Sequence, residues 1–336
     1  MRLIFLLATT LAASVPHWMP QTSGVTARLR GVSAVSSRVA WASGSGSVVL
    51  RTSDGGASWQ KLSVTSEQLD FRDIDAVDEQ TAYLLSIGEG AASRIYKTND
   101  AGRTWTLQFK NEEPKAFFDA MSFWDANRGI VVGDSIDGKF CILTTDNGGK
   151  TWTRVALRDL PPALENEGAF AASGTNIAVF RNGLAWIGMG AAAKARVLRT
   201  SDFGKTWNVA ETPLSSGKSA GIFSIAFRDA KHGVIVGGDY TKENEASDNL
   251  AITNDGGLTW QLMKGLSGFR SVVAYVPGAT TPSLVAIGPS GSDYSNDDGR
   301  TWTPIAGAGF DTFSFVPGKA EGWGSGAKGA IGKLLF

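Results

Sequence analysis

Three arginines share one setting. Arg30, Arg72 and Arg270 each follow a Leu or Phe (Leu29, Phe71, Phe269), and Asp119 and Asp311 take the same place after Phe118 and Phe310. Guanidinium groups gathered at one point can clasp a carboxylate or phosphate through paired hydrogen bonds. Each can equally pair with a neighbouring Asp in an ordinary rim of ion pairs. Further groups with chemical potential are Glu165, Asn166 and Glu167, then Lys218 and Ser219, then two Asp-Tyr steps, Asp239-Tyr240 and Asp293-Tyr294. Carboxylates from Glu165, Glu167, Asp239 and Asp293 with Tyr240 or Tyr294 would be the acid and nucleophile parts of a glycoside hydrolase. That chemistry requires carboxyl pairs about 5 Å or about 6.5–9.5 Å apart. The same Asp-Tyr steps also serve simply to fix turns.

Other reactive patterns fail on context. Gly217-Lys-Ser219-Ala-Gly221 has the Gly-x-Ser-x-Gly string but opens no helix. Only His17 and His232 are available as imidazole bases. No His/Asp/Glu spacing resembles a transition-metal site, and Asp134-Ser-Ile-Asp137-Gly138 is at most a weak calcium loop. No dinucleotide or P-loop string occurs. Neither metal nor cofactor is expected, and Cys141, within an apolar run, reads as buried and inert.

The elements that position these groups follow from a repeat. Ser/Thr-x-Asp-x-Gly-x-Ser/Thr-Trp occurs around Asp54, Asp100, Asp202, Asp255 and Asp297, and once with Asn147 at the Asp position. The repeat tryptophans are 59, 105, 152, 207, 260 and 302, roughly 50 residues apart. In each copy the carboxylate accepts backbone N–H groups across a hairpin, Gly supplies a backbone angle other residues avoid, and Trp plugs the gap beneath. These six residues are therefore structural. Short β-branched runs flank every copy, such as 47–50, 139–143 and 195–198. Four short strands per unit around an axis are the signature of propeller blades.

The expected fold is all-β: a seven-bladed β-propeller of four-stranded antiparallel blades over residues 15–336. Inner strands are expected to start at Leu29, Phe71, Phe118, Phe170, Phe223, Phe269 and Phe310. The seventh unit ends without a box or an outer strand. Trp18 precedes Leu29 by about the interval separating Trp59 from Phe71, so residues near His17–Ser23 are expected to supply that strand and close the ring. The candidate groups then converge on the channel mouth.

Composition agrees. Of 336 residues 43% are hydrophobic, and 41 Gly is about 12% against a usual 7% or so, so the chain is rich in tight turns around apolar anchors. Lys+Arg and Asp+Glu both number 32, which removes the charge footprint of a nucleic-acid binder. Residues 1–14, one Arg then an apolar stretch and small residues, have the layout of a signal peptide. The expectation is an exported, periplasmic or secreted monomer with no integral membrane segment after the leader is removed.

The repeat resembles the Asp-box, or BNR repeat, of sialidase-like propellers. Sialidases follow an aromatic residue with Arg-Ile-Pro, whereas Phe71-Arg72-Asp73-Ile74 and Phe269-Arg270-Ser271-Val272 lack the Ile-Pro, and sialidases have six blades. Residues 227–237 and 123–133, each an inner strand and polar turn ending in Gly-x-x-Val-Gly, resemble more closely the photosystem II stability/assembly factor family. That resemblance implies an exported, non-catalytic assembly propeller using an Arg-rich patch, to which Arg30, Arg72 and Arg270 would correspond; Asp119, Lys218 and Ser219, expected at the same channel mouth, are further candidate ligand contacts. A protein or peptide partner is expected. A glycan, cleaved by a glycosidase or bound by a lectin-like module, is the alternative.

Overall fold

The computed structural model describes residues 15–336, and the expected leader lies outside them. Seven four-stranded antiparallel sheets surround an axis. Their inner strands are Leu29–Ala34, Asp70–Ala76, Phe118–Phe123, Ile177–Val179, Ala220–Phe227, Val272–Tyr275 and Thr312–Phe315. Each packs against the inner strands of its neighbours, so the seven close a ring. Second strands such as Ala185–Met189 and Leu284–Gly288 are buried throughout, which is why they read as unbroken apolar runs.

The seventh blade is closed as the Trp18 spacing requires. His17–Thr22 lies antiparallel to Ala330–Leu335, in register from His17 opposite Leu335 to Thr22 opposite Ala330. The Trp18 ring sits 4.4 Å from Phe310 and edge-on to Phe313 at 5.8 Å. One expected strand start is corrected: the fourth inner strand begins at Ile177, and Phe170 opens an irregular stretch before it. Phe269 and Phe310 also fall just ahead of their strands.

The boxes form self-contained hydrogen-bond knots. Thr52 Oγ1 donates to Asp54 Oδ1 (2.8 Å), and Asp54 accepts the Ser58 amide (3.0 Å) and hydroxyl (2.6 Å). These bonds, led by that of the Ser58 hydroxyl, hold the Asp54 carboxyl down to about 2. Asn147 keeps the geometry with one bond reversed: its amide donates to Thr151 Oγ1 at 2.8 Å, while its oxygen accepts the Thr151 amide. Because Asn carries both donor and acceptor, the turn survives without a charge.

Aromatic residues on second strands then clasp blade to blade. The Trp186 indole donates to Gly256 O in the next box (2.8 Å), and Tyr83 OH to Gly148 O (2.7 Å). Trp41, Trp186 and Trp323 are fully buried. On the neighbouring strand a cation covers the ring: Arg51 over Trp41, Lys97 over Tyr83 and Lys333 over Trp323, 4.6–5.1 Å from the centroids.

Candidate functional site

The mouth of the ring where the inner strands begin holds a cavity of about 600 Å³. Its floor is the irregular stretch that replaces most of the fourth inner strand. Arg72 of blade two donates to Ala171 O (3.2 Å). Ser173 Oγ donates to Ser271 O (2.8 Å), Thr312 Oγ1 donates to Ser173 O (2.8 Å), and Ile225 N donates to Thr175 O (3.0 Å). Gly174, at φ +75°, presses so closely on Asp73 that a Cβ there would come 2.3 Å from Oδ1. Residues 169–176 thus reach blades two, five, six and seven and cross the axis. Ala169–Ala172 face the mouth cavity. Ser173–Thr175 face a second cavity of about 560 Å³ at the far end.

The mouth cavity has unlike walls. Arg28, Arg30 and Arg72 come from blades one and two. Arg28 grips Asp311 with two bonds (2.7 and 2.8 Å), and Arg72 grips Asp70 (2.9 and 3.0 Å). Among the described residues, no hydrogen bond or ion pair engages Arg30. Burial, then the charges of Arg72 and Arg28, bring its guanidinium down to about 10, so it stays cationic at neutral pH without a counter-ion. Opposite lies an aromatic wall: Phe170 stacks on Phe223 at 3.9 Å, Phe269 meets Phe223 edge-on at 4.7 Å, and Tyr240, 49% exposed, stands 6.1 Å from Phe223. Asp119 and Asp134 of blade three line it as well.

Of the residues singled out in the sequence, Arg30, Arg72, Asp119, Lys218, Tyr240 and Asp311 line this cavity. Arg270 does not. It is fully buried, with Nε 2.7 Å from Asp293 Oδ2, itself fully buried, and with Nη1 on Phe269 O. The expectation that Arg270 belongs with the other two arginines is therefore corrected: it precedes its inner strand and turns into the blade. Glu167 is consumed in the same way by Arg196 (Nε to Oε1, 2.8 Å), while Glu165 stands exposed at the surface. Asp239 accepts the Thr241 hydroxyl and amide (2.7 and 2.9 Å), and the Tyr294 hydroxyl points to Ser283. None of Ser219, Glu165, Glu167, Asp239, Asp293 or Tyr294 lines the cavity. The sequence reading missed Arg28 and Glu243, and it took Phe170, Phe223 and Phe269 only as strand starts. It noted Asp134 only as part of a calcium-type loop, and no group of three or more His, Cys, Asp or Glu suited to a metal ion occurs among the described residues.

At the far end, Asp73 Oδ2 accepts the Met121 amide (2.7 Å) and latches blade two to blade three. Burial first, then the charge of Asp75, pushes its carboxyl up to about 8. A carboxyl held protonated in the fold and free near 3.9 in the unfolded chain stabilises most below about pH 4, and that contribution is lost as pH rises toward 8. Asp73→Asn keeps the acceptor oxygen without the titration. Its stability should match the parent's near pH 4 and exceed it by a few kcal/mol near pH 8. Denaturant melts across pH 4–9 check this, and parallel pH curves for the two proteins would refute it.

The ring of seven four-stranded blades, six of which carry the box, defines an Asp-box (BNR-type) seven-bladed β-propeller. Residues 15–113 match the family model described as photosynthesis system II assembly factor YCF48. No curated protein matches the chain. Among solved structures, the chain is similar to "YCF48 bound to D1 peptide", with TM-score 0.68 at 15% identity, covering 95% of this chain and 97% of that one. It is similar to YCF48 from Cyanidioschyzon merolae, with TM-score 0.67 at 15% identity over 95% and 99%. The GH74 xyloglucanase from Xanthomonas campestris gives TM-score 0.63 at 14% identity, over 94% of this chain and 53% of the other. At these identities the likeness is one of fold.

Proposed function

We propose that this chain is an exported, non-catalytic binding propeller that takes a segment of a protein partner into its channel-mouth cavity. The observation that carries this reading is Arg30, a half-buried cation with no partner, set across from an aromatic wall. A peptide offers both complements, a carboxylate for the guanidinium and an apolar side chain for the rings. The solved YCF48 with a D1 peptide has the same fold, which supports a peptide as the class of ligand. Of the carboxylates the sequence offered for a glycosidase, Glu167 is engaged by Arg196 and Asp293 by Arg270, and Glu165 and Asp239 stand outside the cavity. Export is inferred from the signal-like residues 1–14.

The test is a peptide array together with a glycoside panel, run on the parent protein, Arg30→Ala and Arg30→Lys. Retained peptides should weaken about tenfold or more in Arg30→Ala, the loss of a charge-assisted hydrogen bond, and recover in part in Arg30→Lys. Undiminished retention by Arg30→Ala, or turnover of any glycoside, would overturn the reading.

A further inference from the structure

A second unpaired charge faces the same cavity. Asp119 lies in a bulge of the third blade, between the pairs Phe118–Gly133 and Ala120–Val132, and Asp134 follows Gly133 across the ladder. Asp134 is half-buried on the cavity wall, its Oδ1 against Gly168, where a Cβ would come within 2.0 Å. Asp119, 2% exposed, lines the same cavity, and among the described residues its buried Oδ2 has no hydrogen-bond partner. Among the described residues no Lys or Arg makes an ion pair with either, and the Arg72 guanidinium is spent on Asp70 and Ala171 O. Two adjacent carboxyls without a cation, one with an orphaned oxygen, are costly to bury unless something positive completes them.

We propose that Asp119 and Asp134 form a receptor for one cationic group, an ammonium or guanidinium, carried by the peptide that the mouth cavity holds. This rests on the peptide-binding reading above. Arg30 and this pair then give the cavity two charged poles of opposite sign with the aromatic wall as a third contact, so the preferred ligand carries a basic side chain as well as an acidic group.

The groups facing the pair define its empty state. They are Arg72 from blade two, the amides of Ala169 and Ala171 from the crossing stretch, Cys141 from the adjoining strand, and Lys218 and Glu243 on the cavity rim. Burial, then the charge of Asp134, pushes the Asp119 carboxyl well up, and burial pushes Asp134 up to about 6. The empty pair thus retains a proton, which an arriving cation displaces to solvent. Binding of a basic group should therefore strengthen as pH rises from about 5 to 8, as Asp134 ionises.

The experiment uses acetylated tetrapeptides in which one position at a time is Lys, Arg, norleucine or Glu. They are titrated into the parent protein, Asp134→Asn and Asp119→Asn at pH 5, 6.5 and 8. The expected result is that Lys or Arg at one position binds about tenfold tighter than norleucine on the parent at pH 8, the size of a hydrogen bond to a charged group. That preference should shrink at pH 5 and collapse in Asp134→Asn, with a near-ultraviolet circular dichroism spectrum matching the parent's to report an intact fold. Calorimetry in buffers of different ionisation enthalpy should show proton release with Lys peptides alone. Equal binding of Lys and norleucine peptides by the parent, or a preference that survives both substitutions, would overturn the receptor and leave peptide binding standing. Failure of every peptide to bind would remove the peptide-binding reading and this inference with it.

Discussion

A chain lacking residues 15–23 is expected to lose cooperative folding altogether. Removing His17–Thr22 uncovers the whole edge of Ala330–Leu335 and takes Trp18 from Phe310 and Phe313, in a cluster that also holds Leu334, Val285 and Ile305. An open edge seeks another strand, so the shortened protein should self-associate. Near-ultraviolet circular dichroism and size-exclusion chromatography should report lost tertiary signal and soluble aggregate. A synthetic peptide of residues 15–23 added in excess should restore both, because strand addition supplies the same backbone bonds. A shortened chain that stays monomeric and melts within a few degrees of the parent would show that the ring does not need its latch.

The second large effect is at the buried ion pair. Asp293→Ala leaves the Arg270 guanidinium without its counter-charge in a site with no exposure on either side chain. Bonds from Arg270 to Phe269 O, Ser290 Oγ and Ser267 Oγ remain, but they carry no charge. The expected loss is about 3–5 kcal/mol of unfolding free energy, read by chemical denaturation. Arg270→Met/Asp293→Val, which removes both charges at nearly the same summed volume, should lose much less. A single-substitution loss below about 1 kcal/mol, in the range of exposed pairs, would mean that the pair is open to water in solution. The expected loss separates Arg270 from Arg30, whose replacement should alter binding and leave stability nearly unchanged.

That contrast shows where the sequence speaks and where it does not. The boxes are local, each closed by bonds spanning two to four residues, so Asp54 or Asp255 declares its turn without reference to the rest of the chain. Regular spacing of such turns fixes blade number, and the offset of Trp18 fixes the seam. Arg30 and Arg270 look alike in sequence because both follow an apolar residue near an inner strand. Which way the side chain turns depends on whether the strand has already begun, as at Leu29, or begins two residues later, at Val272. The partner that captures Glu167 is Arg196, on a strand 29 residues away, and nothing local announces it. Phe170 fits the inner-strand pattern as well as Phe223 does. What diverts it is the need to seat residues 169–176 against four other blades, a requirement that exists only once the ring is assembled.

With that stretch laid across the bore, the ring is two shallow cups set back to back. A long polypeptide cannot be drawn through it. It can offer only a tip or a doubled-back loop, and whatever settles in one cup has to leave over the rim by which it came.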